Sequence, residues 1–392
     1  MAIGKESSGG RLGGLDVLRG LAALFVMFGH ALLSLRGTAG GAWIPTWIDQ
    51  TPLIVLQQGY QSVKLFFVLS GFVLAYVLCR GDLAAQTPAF LIKRVARIWI
   101  PFAACLCAYG LIRLFVPASP SGYSTWVAGH WAQVLSWEGF ANNATLVGVF
   151  KASEFNSSAW TLVHEMRISL LFPLLMLALW GRRWLVYLPV IYVLAKVGEH
   201  YAGLYTENET LTSLFYTLYY IHFFLFGMLL CQYRETIIAI VRRMSPLTIT
   251  VLTAFAVMLY AGRVVQITIP YTAPLELDFL LGTGILIAVV ITCTRSVLLT
   301  NAPMLWLGKV SYSLYLWHIL FIVGGVRLFG KVLPAAVILP AAMLASLLMA
   351  ELSYRYLEAP AIALGKKLAA LQLLPDYLTR PHNAVPERVG SG

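Results

Sequence analysis

The chain has 392 residues, of which 59% are hydrophobic and 11% charged, and its mean hydropathy is +0.77. An ordinary soluble domain is about 45–50% apolar and about 25% charged, so a soluble enzyme and a disordered chain are both excluded. A formal charge of +11 invites a nucleic-acid partner, but the positions of the charges remove that reading.

The first 14 residues, with Gly9-Gly10 and Gly13-Gly14, read as a flexible cytoplasmic arm. Apolar runs of about 20 residues, the length that crosses a bilayer core, follow in order along the chain. They lie at 15–35, 62–79, 98–117, 158–180, 184–200, 211–231, 247–263, 275–294, 310–328 and 334–354. These runs define an all-α, polytopic integral membrane domain over 15–360 with ten transmembrane helices. Residues 361–392, holding Pro375, Pro381 and Pro386, read as a cytoplasmic tail that is partly disordered. With both termini cytoplasmic, 18 Lys and Arg fall on inside segments and 6 outside, with four more inside spans. That asymmetry is the positive-inside signal. The basic excess therefore reports orientation, with anionic membrane lipid as a partner and no nucleic acid. A first span that carries Arg19 and His30 does not read as a cleavable signal peptide. The spans leave no room for an appended soluble catalytic domain, so chemistry is expected within the membrane. Cys79, Cys105, Cys107, Cys231 and Cys293 fall in or beside spans and read as apolar packing residues. No metal site is expected.

A titratable group in hydrocarbon costs a few kcal/mol, so each one is a functional candidate. Arg19 and His30, 11 residues apart on the first span, share one helical face and stand about 16 Å apart along it. The second span holds Lys64 and the small pair Ser70-Gly71, which suits close helix packing or passage of a substrate chain. The following loop presents Arg94 and Arg97, an i,i+3 pair at the cytoplasmic boundary. Two guanidiniums so placed suit phosphate groups, while their position alone favours juxtamembrane bases that set topology and touch lipid headgroups. The outside loop at about 118–157 carries Tyr123, Trp126, Trp131, Trp137, Phe140 and Phe150, either to stack on sugars or to lie in the interface. Glu165, counted about 10 Å down the fourth span, reaches the depth of His30. The two could pair so that the carboxylate fixes the imidazole; Arg167, His164 and Arg113 are competing partners for Glu165. Tyr312, Tyr315 and His318 form an i,i+3 stripe on the ninth span, with His318 deeper than an interfacial belt. Arg355 can clamp Glu351 and Glu358 at the end of the tenth.

Six motifs now stand in order: Arg19 with ten residues before His30; Phe66-Phe67 with Ser70-Gly71-Phe72; Arg94 with Arg97-Ile98; Trp160-Thr161-Leu162 with Glu165; Ser311 to Tyr315 with His318; and Tyr354-Arg355 with Glu358-Ala359-Pro360. This order resembles the acyltransferase-3 family of ten-span bacterial membrane O-acyltransferases, from about residue 13 to 360. The resemblance implies an inner-membrane enzyme that moves an acyl group, usually acetyl, from cytoplasmic acyl-coenzyme A to a hydroxyl of a carbohydrate or lipid-linked glycan. It implies that His30 is the catalytic histidine, as general base or transient acyl carrier, and that Arg19 belongs to the same motif. It also places Arg94 and Arg97 on the coenzyme phosphates, acyl-coenzyme A being a co-substrate rather than a bound cofactor. Thr161 stands where Ser is common and Lys93 where Arg is frequent. Residues and resemblance together assign His30, Glu165 and Arg19 to catalysis. Arg94, Arg97, Arg19, Tyr312, Tyr315 and His318 are assigned to the coenzyme, and Trp160, Lys64 and Ser70 to the acceptor. The competing class is a multi-span exporter of a glycan or lipid, which lacks support from any internal repeat.

Overall fold

A computed structural model describes residues 10–116, 122–132, 136–148, 155–261, 275–294, 296, 299 and 301–371. Phe150, Pro375, Pro381 and Pro386 lie outside the described residues. Among the described residues all regular structure is helical, as lipid demands of a backbone that must satisfy its own polar groups. The first five long helices are α1 (Gly10–Leu33), α2 (Gly59–Leu78), α3 (Leu83–Arg113), α4 (Trp160–Leu179) and α5 (Trp184–Leu204). They are followed by α6 (Glu209–Gln232), α7 (Pro246–Tyr260), α8 (Leu277–Thr292), α9 (Ala302–Phe329), α10 (Ala335–Ser353) and α11 (Ala359–Ala370). Each of the ten expected spans falls on one of α1–α10. Among the described residues, seven helical stretches are long and apolar enough to cross a membrane, including Gly13–Leu33, Leu83–Arg113 and Ala335–Ala370. The apolar helices α7 and α8 are shorter.

The helices pack as neighbours α1 with α9 and α2, α2 with α6, α5 with α6, α7 with α8, and α9 with α10. Two of these contacts depend on glycine. Gly71 of α2 and Gly227 of α6 each face the other helix's backbone so closely that a Cβ on either would overlap a carbonyl, of Phe224 or of Val68. Gly20 and Gly308 meet in the same way between α1 and α9. Close approach through small residues is how helices associate where lipid leaves no hydrophobic driving force between them. The Ser70-Gly71 pair is thus a packing device at its second residue.

Three boundaries differ from expectation. Helix α3 begins at Leu83, where the Asp82 carboxylate accepts a hydrogen bond from the Ala85 amide at 2.7 Å. Arg94 and Arg97 therefore sit three turns inside a helix rather than on a loop. The chain is already helical from Gly10, so Gly13-Gly14 belong to α1, with Gly14 against Val290. At the other end a π-helical turn at Tyr354–Glu358 leads into α11, which lies along α3 with Gly365 against Ala96 and Lys93. The expected tail is therefore helical through Ala370.

Candidate active site

The buried charges gather at one level of the bundle. From α3, Arg94 pairs with Glu165 of α4, and its Nε donates to Ser169 at 3.0 Å. Glu165 also accepts from the Ser70 hydroxyl of α2 at 3.3 Å. Arg97, one turn on, stands 3.9 Å from Glu358, whose carboxylate accepts from Ser313 at 2.9 Å. Arg19 of α1 has Asp16 at 3.9 Å. A cavity of about 60 Å³ opens among these groups, lined by Arg19, Ser70, Arg94, Arg97, Glu165, Tyr312 and Tyr315 together with apolar side chains. Three guanidiniums and one carboxylate line the cavity itself, Asp16 and Glu358 lying outside its lining, so the cavity suits an anion. Arg94 is fixed by its partners, whereas Arg19 and Arg97 are held only at 3.9 Å and can fork onto phosphate oxygens. Tyr312 lines the cavity with its ring, since its hydroxyl donates to the Ile98 carbonyl at 2.7 Å and ties α9 to α3.

His30 lies in a second, wider cavity of about 280 Å³, with Trp160, Tyr315, Tyr60, Arg36 and Gln57 in its wall. The expected His30–Glu165 pair is therefore not formed. His30 Nδ1 lies 3.0 Å from His318 Nε2, and His318 Nδ1 lies 3.2 Å from the Leu314 carbonyl. A carbonyl only accepts, so His318 carries its proton on Nδ1 and offers Nε2 as acceptor to His30 Nδ1–H. That leaves His30 Nε2 unprotonated, with a lone pair for a proton or an acyl carbon. His318 is fully buried and stands behind His30, so it does not wall the basic cavity as the sequence led one to expect. Trp126, from the short helix Thr125–Gly129, stacks on the His30 ring with centroids 5.3 Å apart and planes 18° apart.

The two cavities share Val63 and Tyr315 in their walls. Lys64 belongs to neither, being buried against Glu276 and Gln61 and lying over the Tyr60 ring at 4.0 Å. Arg167 and His164 do not compete for Glu165. Arg167 reaches the Val147 and Gly148 carbonyls, Ser213 and Thr217, and His164 meets Thr217 at 2.8 Å. Arg355 does pair with Glu351, but Glu358 turns inward to Ser313 and Arg97. Arg36 and Gln57 escaped sequence reasoning. They join Asp49 in a closed polar triad at the rim of the histidine cavity, with Arg36 donating to both Asp49 oxygens at 3.0 and 2.8 Å and to Gln57 at 2.6 Å. Trp126 was visible only as one aromatic among several in its loop.

The family model described as an acyltransferase domain matches residues 12–353, nearly the whole of α1–α10. The chain belongs to the acyltransferase-3 family. Among curated proteins it is similar to Nodulation protein 10 of Rhizobium leguminosarum bv. viciae, 29% identical over 197 residues, 47% of this chain and 49% of that protein. The match thus spans about half the length of that relative. No solved structure matches the chain. Family membership makes the chain a multi-pass membrane acyltransferase domain, which implies an acyl donor and an acceptor and favours the enzyme over the exporter.

Proposed function

We propose that this acyltransferase-3 protein is an O-acyltransferase of the bacterial inner membrane. It takes an acyl group, acetyl first, from acyl-coenzyme A at the cytoplasmic face and places it on a hydroxyl of a carbohydrate or lipid-linked glycan. The observation that carries the proposal is the meeting of two chemically different cavities at Val63 and Tyr315, one with three arginines and the other with His30. Arg19, Arg94 and Arg97 suit the phosphates of the donor, and the basic side of the bundle corresponds to the face that the positive-inside rule assigns to the cytoplasm. The acceptor hydroxyl enters the wider cavity beside His30 and Trp160. His30 Nε2 takes the hydroxyl proton as the oxygen attacks the thioester carbonyl. The carbon–sulfur bond breaks, and the proton returns from the imidazolium to the departing thiolate, leaving an ester and free coenzyme thiol. Direct transfer is favoured because His30 shares its cavity with the acceptor side, away from the arginines.

The test supplies isotope-labelled acetyl-coenzyme A and a glycan acceptor to the purified chain in vesicles. Label is expected on the glycan with the wild type and is lost with His30→Ala, while insertion is unchanged. Wild-type label on the acceptor that survives His30→Ala would refute the assignment.

A further inference from the structure

Tyr315 is the side chain that stands between the two cavities. It rises from α9, is 5% exposed, and crosses to the start of α4, where its hydroxyl donates to the Ser158 carbonyl at 2.9 Å. Thr161 Oγ1 lies 2.7 Å from the same hydroxyl and itself reaches the Ser158 carbonyl at 3.0 Å. The ring is thus held at both ends, by its own helix and by this latch. Phe66 of α2 meets it edge-on with centroids 5.7 Å apart, and Val63, one turn away, completes the partition. A buried tyrosine finds a partner for its hydroxyl in any fold. What sets this one apart is that it lines both the arginine cavity and the histidine cavity.

We propose that Tyr315, latched to Thr161 and the Ser158 carbonyl, is the specificity-determining partition of the transferase: it limits the acyl group to a short one and keeps water of the wider cavity off the thioester. This rests on the donor and acceptor assignment above. The carbonyl carbon of the donor has to come level with Tyr315 to meet an oxygen next to His30. Carbons beyond that carbonyl must then lie against Phe66, Val63 and the Tyr315 ring. Phe66, Val63 and Tyr315 all line the donor cavity, so additional methylenes press on the ring and strain the latch. An acetyl group has a single methyl to place there. With the ring in position, Tyr315 and Val63 stand between water in the histidine cavity and the thioester.

The full chain in vesicles is given acetyl-, butyryl- and octanoyl-coenzyme A, with and without a glycan acceptor. Acyl transfer and thiol release are read in parallel. The wild type is expected to favour acetyl over butyryl at least tenfold and to release little thiol without acceptor. Tyr315→Leu is expected to reduce that preference about tenfold and raise acceptor-independent thiol release several-fold. Thr161→Val, which keeps the ring and removes one latch partner, shifts both in the same direction by less, and decides the matter should Tyr315→Leu not fold. Unchanged acyl preference and unchanged thiol release in a folded variant overturn the proposal while leaving the transferase reading intact. A wild type that transfers octanoyl as well as acetyl overturns it too. A wild type that neither transfers nor cleaves any of the three thioesters overturns the transferase reading and this proposal together.

Discussion

His318 gives the sharpest test of how His30 is prepared for chemistry. In His318→Leu a buried side chain of similar bulk replaces the imidazole, and the 3.0 Å bond to His30 Nδ1 and the 3.2 Å bond to the Leu314 carbonyl are lost. In the resting enzyme the bond between the two rings is neutral and worth about 1 kcal/mol net. Once His30 has taken the acceptor's proton the same bond is charge-assisted, and such bonds are roughly twice as strong. The transition state therefore loses about 1 kcal/mol more than the ground state, which is roughly a fivefold fall in kcat. Removing the base altogether, in His30→Ala, costs about 10²–10⁴. The assay is steady-state transfer in vesicles, with KM read separately for donor and acceptor. His318→Leu is expected to lower kcat and leave donor KM unchanged, and His318→Gln, whose carbonyl oxygen can accept from Nδ1–H, to recover part of the loss. A rise in donor KM at constant kcat would refute the reasoning and return His318 to the donor site. Unchanged kinetics, or a loss equal to that of His30→Ala, would refute it as well.

Gly71→Ala forces a methyl onto the Phe224 carbonyl at the α2–α6 contact and is expected to cost about 1–3 kcal/mol, read as a lowered unfolding temperature in detergent; an unchanged temperature would contradict the close approach. Glu165→Leu leaves the buried Arg94 guanidinium without its carboxylate, at a cost of about 3 kcal/mol or more. Arg94→Leu on that background should restore most of the stability while donor binding stays lost; additive losses in the double-mutant cycle would show that the pair is not coupled. His130 lies outside the spans, and burial holds its pKa below the ordinary histidine value, with Arg327 pushing the same way. Its neutral ring donates to the Trp126 carbonyl at 2.7 Å. A lowered folded-state pKa means that the opened loop takes up the proton first. The stability of the 122–132 segment is thus intact above about pH 6.5 and lost as pH falls below it. Hydrogen-exchange protection of this segment, after correction for the intrinsic pH dependence of amide exchange, should fall between pH 7 and pH 5 in the wild type and not in His130→Gln; pH-independent wild-type protection would sink the idea.

The helices α1–α10 were legible because each carries an apolar run that lipid obliges to be helical, and the same economy of charge marked Arg19, His30 and Glu165 as costly residues at membrane depth. Their partners were not legible. Helical rise counted from Ser158 as the outer surface puts Glu165 level with His30. In the fold Asn156 and Ser158 are themselves buried, with Asn156 donating to the Leu316 carbonyl at 3.0 Å. Helix α4 therefore starts inside the protein, and Glu165 sits deeper than the count, at the level of Arg94. Arg94 was misplaced for the converse reason. The residues from Leu83 to Arg97 mix charged and apolar positions and show no unbroken apolar run, yet they are helical because α11 covers them. Trp126 illustrates a third limit. It reaches His30 through a loop that the Ser124 amide anchors to the Ser34 carbonyl at 2.9 Å, a long-range bond that no periodicity encodes. Spacing along one helix places residues on a face, as it did for Arg19 and His30, yet the cavities divide even that pair. Arg19 lines one and His30 the other, with Tyr315 in the wall of both, so the 11 residues between them measure the distance from the arginine cavity to the histidine cavity rather than a contact.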